Sequence, residues 1–152
     1  SRDIVFPQDG MEESQEEGLL AALSKVGIDR FPRIAIVDDN PEVRRLVRRI
    51  LQSQGNYTLF EATNGREAVE LVQREHPNLI ILDLMMPEMD GYAVMDELKN
   101  SPDTADIPII VVTAKELTPA EKDRMRGHIQ KLMQKGDFMS DELLDEVRAL
   151  LR

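Results

Sequence analysis

From residue 33 onward, short apolar runs alternate with longer amphipathic stretches, and the pattern repeats five times without a break. "RIAIV" is followed by "PEVRRLVRRILQSQG", "YTLFEA" by "GREAVELVQREH", "LIIL" by "GYAVMDELKN", "PIIVVTA" by "TPAEKDRMRG", and "HIQKLMQ" by "SDELLDEVRALL". A run that is apolar at every position predicts a strand covered on both faces. In the stretch after the first run, Val43, Leu46, Val47, Ile50 and Leu51 fall on one side of a helix. Strands separated by helices pair in parallel, because each return to the same end of the sheet needs a right-handed crossover. The expected fold is therefore α/β, a doubly wound five-stranded parallel sheet flanked by five helices, with its chemistry at the strand carboxyl ends.

Local signals place the helix boundaries. Asn40 stands before Pro41 as a cap, and Gly55 is placed to end that helix. Asp90 precedes the helix at 91. Thr118, Pro119 and Glu121 fit cap, first-turn proline and capping box, with Gly127 as the stop. Ser140 is the cap expected for the closing helix.

Residues 1–31 differ from the rest: seven acids stand against three bases, a net of −4. Within them "SQEEGLLAALSKVG" predicts one helix, with Ser14 and Glu17 as capping box and Gly27 as stop. The expected organisation is an acidic N-terminal extension over 1–31, a linker or the tail of an upstream unit, followed by one domain over 32–152.

Composition narrows the chemistry. A formal charge of −10 argues against a nucleic-acid surface, which needs clustered Lys and Arg. "RRLVRR" at helical spacing reads as the wet face of one helix. With no cysteine and two isolated histidines, thiolate and zinc sites are excluded, so any metal must be held by oxygen. No apolar run approaches the roughly 20 residues that span a bilayer, so membrane contact is not expected and a cytoplasmic location is.

The residues just past the most apolar runs are Asp38 and Asp39, then Asp83, then Thr113. If the strand order brings these ends together, three carboxylates converge, and such a cluster is costly unless a cation neutralises it. Magnesium fits best, since it takes a few carboxylates and keeps waters that a phosphate oxygen can replace. Helix capping is the plain alternative for each aspartate, but Asn40 and Asp90 are better placed for that work. A strand-end aspartate beside magnesium can act as nucleophile on a phosphoryl group, giving an aspartyl phosphate. A lysine should balance the added oxygens, and Lys135 at the end of the last strand is best placed. Lys131, inside that strand, is expected on its exposed side.

"IVDDN", "LDLMMPEMDG", "VVTA" and a lysine at the last strand's end, in this order over residues 33–152, resemble the receiver domain of two-component response regulators. The spacings from Asp39 to Asp83, Thr113 and Lys135, successively 44, 30 and 22 residues, are close to those of that family. The resemblance implies a flavodoxin-like receiver fold with Asp83 as phosphoacceptor. It implies Asp39 as a direct Mg2+ ligand, Asp38 as a second acid near the metal, and Met85 as a ligand through its carbonyl. Thr113 would supply the hydroxyl that moves to the phosphoryl group, Lys135 the ion pair, and Ala114 the small residue that lets a phosphodonor approach. Met85 and Lys115 would flank the path of the water that hydrolyses the phosphoaspartate. Two positions depart from the family pattern: "KGDF" replaces the common Lys-Pro, and Leu132 stands where an aromatic is usual.

Other readings fare worse. A dinucleotide site needs a glycine-rich first turn, where this chain has "VDDNPE". A haloacid dehalogenase-type phosphatase expects an acid two residues after the nucleophile, where Met85 stands. Flavin binding would need an uncharged phosphate loop. The rival of a different class is a receiver-like interaction module that is never phosphorylated. The expected partners are a histidine kinase or phosphotransfer protein, together with a downstream effector or upstream domains of the same chain. The chain is expected to be a free-standing receiver or the C-terminal piece of a larger signalling protein. It modifies its own Asp83 and is not expected to turn over an external substrate.

Overall fold

The computed structural model describes residues 31–86, 89–114, 116–136 and 139–151. The helix expected in the 1–31 extension lies outside the described residues, as do Lys115, Asp137 and Phe138.

Five strands alternate with five helices in chain order: β1 (Arg33–Val37), α1 (Pro41–Gln52), β2 (Thr58–Ala62), α2 (Gly65–Glu75), β3 (Leu79–Leu82), α3 (Gly91–Lys99), β4 (Ile109–Thr113), α4 (Pro119–Met125), β5 (Lys131–Gln134) and α5 (Met139–Leu150). The strands form one sheet in the order β2-β1-β3-β4-β5. Every pairing is parallel, with Val37 beside Leu82 and Leu82 beside Val111. The order reverses direction at β1, so β1 and β3 lie side by side and their carboxyl ends flank the switch point where α/β sites form.

Successive side chains of each strand enter opposite layers. Ala35, Val37, Ile80, Leu82 and Val111 pack with α2, α3 and Met125 of α4 on one face. Ile34, Ile36, Leu79, Ile81, Ile110 and Val112 pack with Val47, Ile50 and Leu51 of α1 and Leu143, Leu144 and Val147 of α5 on the other. This double cover explains why β1, β3 and β4 read as apolar at nearly every position.

The caps follow the sequence with two corrections. The side chains of Asn40 and Asp90 accept from the N–H groups of Glu42 and Ala93, both at 2.9 Å. Thr118 and Glu121 form the reciprocal capping box. The α1 helix, however, stops at Gln52, ahead of Gly55. There the Ser53 hydroxyl donates to the Ile50 carbonyl at 2.7 Å and takes up an end group that glycine would otherwise have had to expose. Ser140 is not the cap of α5, which already begins at Met139. It occupies the first turn with Asp141 and Glu142, where acids suit the positive end of the helix.

Candidate functional site

β1 and β3 each deliver an aspartate to the same place. The Asp83 N–H donates to the Val37 carbonyl at 3.0 Å, which continues the β1–β3 ladder one step past the strand. The Asp38 N–H donates to the Ala62 carbonyl of β2 at 3.1 Å, doing the same on the other side. Both carboxylates are buried, each 4% exposed, whereas Asp39 is exposed. One oxygen from each of Asp38, Asp39 and Asp83 lies within 4.8 Å of the others.

Lys135 completes the group from the far side of the sheet. Its N–H donates to the Thr113 carbonyl at 3.0 Å, which fixes the loop after β5 to the end of β4. Its Nζ donates to Asp38 Oδ2 at 2.9 Å and lies 3.6 Å from Asp83 Oδ2. The other oxygens of the two buried acids meet backbone: Asp38 Oδ1 accepts from Asn40 N–H at 2.9 Å, and Asp83 Oδ1 from Met85 N–H at 3.3 Å.

The electrostatics follow from this packing. Burial raises the pKa of Asp83, and the adjacent Asp38 pushes it the same way. Lys135 and the Met85 N–H oppose the rise without cancelling it. Burial alone would lower Lys135, but its hydrogen bond to Asp38 and the charges of Asp38 and Asp83 lift it above the ordinary lysine value. The two shifts differ in what Lys135 does for each acid: it is paired first with Asp38, and Asp83 receives the weaker share. Asp83 is thus a carboxylate whose charge the folded chain leaves under-compensated.

A cavity of about 500 Å³ opens over these groups, lined by Asp38, Asp39, Asn40, Asp83, Met85, Ala114 and Lys135. Met85 is 55% exposed at its rim. A larger depression of about 710 Å³ lies between α2 and α3, walled by Arg66, Glu70, Asp90 and Glu97. Its acids and base are mixed on an open wall, and none of the convergent acids faces it. Chemistry is therefore assigned to the smaller cavity. The metal-donor atoms offered there are oxygens, three of the side chains being carboxylates, which fits a hard divalent cation, and the site is short of positive charge.

Of the sequence-derived candidates, Asp38, Asp39, Asp83, Met85 and Lys135 are brought together. Thr113 is fully buried at the end of β4 and is not among the residues that line the cavity. Lys131 is exposed, as expected for its side of β5. Leu132, which stands where the family usually has an aromatic, packs against the α2–α4 core layer.

Two close approaches were not legible in the sequence. A methyl group placed on Gly91 would stand 2.7 Å from both the Asp83 carbonyl oxygen and Leu84 Cα. One on Gly65 would collide with the Met89 carbonyl oxygen. Both glycines start helices, and both let those helices press against the loop that follows Asp83. The only available signal was that each glycine opens a helix, a position where its low propensity needs a reason.

This combination of a 2-1-3-4-5 sheet with an acid pair after β1, a lone acid after β3 and a lysine after β5 belongs to the receiver domains of response regulators. The model of the response regulator receiver domain family matches residues 34–148, and the chain belongs to that family. Receiver domains are phosphoacceptor modules of two-component signalling and bind Mg2+ at their acidic pocket.

The chain is 38% identical over 120 residues to the response regulator MprA of Mycolicibacterium vanbaalenii, covering 79% of this chain and 50% of that protein. It is 44% identical over 82 residues to the probable transcriptional regulator ycf27 of Porphyridium aerugineum, covering 54% of this chain and 32% of that protein. The chain thus spans half or less of these curated relatives. Among solved structures it is similar to the signal receiver domain of a signal transduction histidine kinase from Syntrophus aciditrophicus, with 36% identity and a TM-score of 0.70 over 79% of this chain and 89% of that one. It is also similar to the response regulator TrrA of Thermotoga maritima in complex with Mg2+ and BeF, with 32% identity and a TM-score of 0.70 over 80% of this chain and all of that one. Among the described residues no helix is long and apolar enough to cross a membrane.

Proposed function

We propose that Asp83 accepts a phosphoryl group from a histidine kinase or phosphotransfer protein in the cytoplasm, with Mg2+ held by Asp38, Asp39, Asp83 and the carbonyl of Met85. The observation that carries this reading is the position of Asp83. It is nearly buried, yet it lies on the floor of an open cavity between two further acids and one lysine. A bound Mg2+ would supply the positive charge that this group lacks and would neutralise oxygens of the incoming phosphoryl group.

The chain's own residues do the rest. An Asp83 oxygen forms the bond to phosphorus as the phosphoimidazole P–N bond breaks, and the electron pair returns to the ring nitrogen of the donor. Lys135 already faces both buried acids, and its ammonium turns to the new phosphoryl oxygens. The Met85 N–H holds the second Asp83 oxygen in place. Ala114 leaves the rim open to a bulky donor. Thr113 moves its hydroxyl toward the phosphoryl group, which would alter the surface near β4 and β5.

Residues 32–152 form the receiver in this reading, and 1–31 serve as a linker or the tail of an upstream unit. Because ycf27 is named a probable transcriptional regulator, an output on transcription is one destination for the switched surface in a longer chain.

The test is intact mass after incubation with acetyl phosphate and Mg2+. The parent should gain one phosphate, and Asp83→Asn should gain none. Equal labelling of the variant would overturn the assignment. A parent that takes up no phosphate from any donor would favour an interaction module that works without phosphorylation.

A further inference from the structure

We infer that Arg44, on α1, is a positioning residue for the cation-binding acids, and that it acts through the peptide of Asp38 and through Glu61 on β2. The inference rests on reading Asp38, Asp39 and Asp83 as a cation site. Arg44 Nη1 donates to the Asp38 carbonyl oxygen at 2.7 Å, while its Nε donates to Glu61 Oε1 at 2.9 Å. One planar guanidinium thus bridges the acidic turn and the edge strand, with its side chain only 14% exposed.

Glu61 is itself held. Arg48, one turn along α1, donates from Nε to Glu61 Oε2 at 2.9 Å and also from Nη2. Burial works against the charge of Glu61, but the hydrogen bonds and charges of Arg48 and Arg44 keep its pKa below the ordinary value. The neighbour of Glu61, Ala62, accepts the N–H of Asp38 at 3.1 Å. Both ends of the Asp38 residue are therefore referred to β2, the N–H directly and the carbonyl through Arg44.

The carbonyl of Asp38 belongs to the peptide that carries Asp39. Fixing it sets the direction in which Asp39, the exposed member of the acid group, leaves the sheet. A divalent cation gains most from carboxylates already held in place, because an unrestrained turn must be ordered on binding. Lysine cannot substitute. It keeps the charge, but a single ammonium on a flexible stem does not span two acceptors as a rigid fork does.

The experiment uses the full chain and titrates MgCl2 by calorimetry, with melting in the absence of Mg2+ to verify folding. Arg44→Lys is expected to raise the Mg2+ Kd about tenfold, the lower end of the effect of an outer-shell partner on metal affinity, while Arg48→Lys stays within about twofold of the parent. In acetyl phosphate labelling, Arg44→Lys should need more Mg2+ for half-maximal rate yet reach the parent rate at saturation. A purely structural role would lower the melting temperature without moving either readout.

Parent affinity in Arg44→Lys, or an equal loss in Arg48→Lys, overturns the inference. If Arg44→Lys does not fold, Glu61→Ala removes the anchor of the fork and should weaken Mg2+ several-fold, and unchanged affinity there overturns it as well. Asp39→Ala separates the two readings: if that variant binds Mg2+ like the parent, the cation site is wrong and the inference falls with it.

Discussion

Gly91 presses against the backbone of Asp83, so closely that a single methyl group would stand 2.7 Å from the Asp83 carbonyl oxygen. The Gly91 N–H also donates to the Leu84 carbonyl at 3.1 Å. The start of α3 and the backbone of Asp83 therefore cannot move independently. Gly91→Ala should cost about 1–3 kcal/mol, the usual penalty for overpacking against something that cannot rotate away. It should also slow acetyl phosphate labelling of the folded protein. Melting and a mass time course measure both, and Gly136→Ala, where the added methyl meets nothing within 4 Å, is the matched control.

Asp83 sets a pH dependence with a definite sign. Its pKa is raised in the folded chain, chiefly by burial and then by Asp38. Between the unfolded and folded pKa values the native state binds more protons than the unfolded one, so stability falls as pH rises through that window. The penalty is fully present above the folded pKa and disappears below the unfolded value. Without Mg2+, Asp83→Asn should therefore melt higher than the parent at neutral pH, and the difference should vanish on acidification. A gap that widens in acid would show that Lys135 outweighs burial after all.

Lys135 shifts stability with the same sign at the other end of the pH scale. Burial opposes its charge, but Asp38 and Asp83 raise its pKa, so the stability it contributes is present below the ordinary lysine value and is lost as pH rises through the folded one. Lys135→Met leaves two buried carboxylates facing each other. The cost should be on the order of 2 kcal/mol, less than the loss of a fully buried pair because the ammonium keeps some contact with water. Since a divalent cation can replace the missing charge, Mg2+ should raise the melting temperature of this variant more than that of the parent. An equal Mg2+ response in both would count against a shared site.

Met85 sits at the rim of the cavity and presents a thioether that neither donates a proton nor orients an attacking water well. Phosphate loss from labelled parent should accordingly be slow, and Met85→Asn should lose its label several-fold faster. Timed mass spectra with Mg2+ and no kinase decide the point. A variant slower than the parent would overturn it.

The alternation of apolar runs and amphipathic stretches was enough to read the sheet, because β1, β3 and β4 are covered on both faces and carry almost no polar residue. The acids were legible for the same reason: Asp38 and Asp83 end apolar runs abruptly, and Asn40 and Asp90 stood ready to do the capping. What the sequence did not show depends on distance through space. Arg44 and Glu61 lie on elements that only the β2-β1 pairing brings together, and "RRLVRR" looks like a wet helix face until Glu61 is placed beside it. Gly65 and Gly91 resemble ordinary helix starts, and their reason is a backbone that arrives from elsewhere. The ends of α1 and α5 were misplaced by a few residues at most, because Ser, Gly and acids are all favoured within a turn of a helix terminus and do not single out one position.

The ion pair between Lys135 and Asp38 closes a loop of 97 residues. The acid–lysine cluster draws on the first strand, the third strand and the segment after the fifth, and all three must be docked before Asp83 meets its counter-charge. A chain that ends before Lys135 lacks the cation that faces both buried acids. In the proposed role, a phosphoryl group on Asp83 would mark a molecule whose strands are all docked, so the modification would report completed folding as well as the signal.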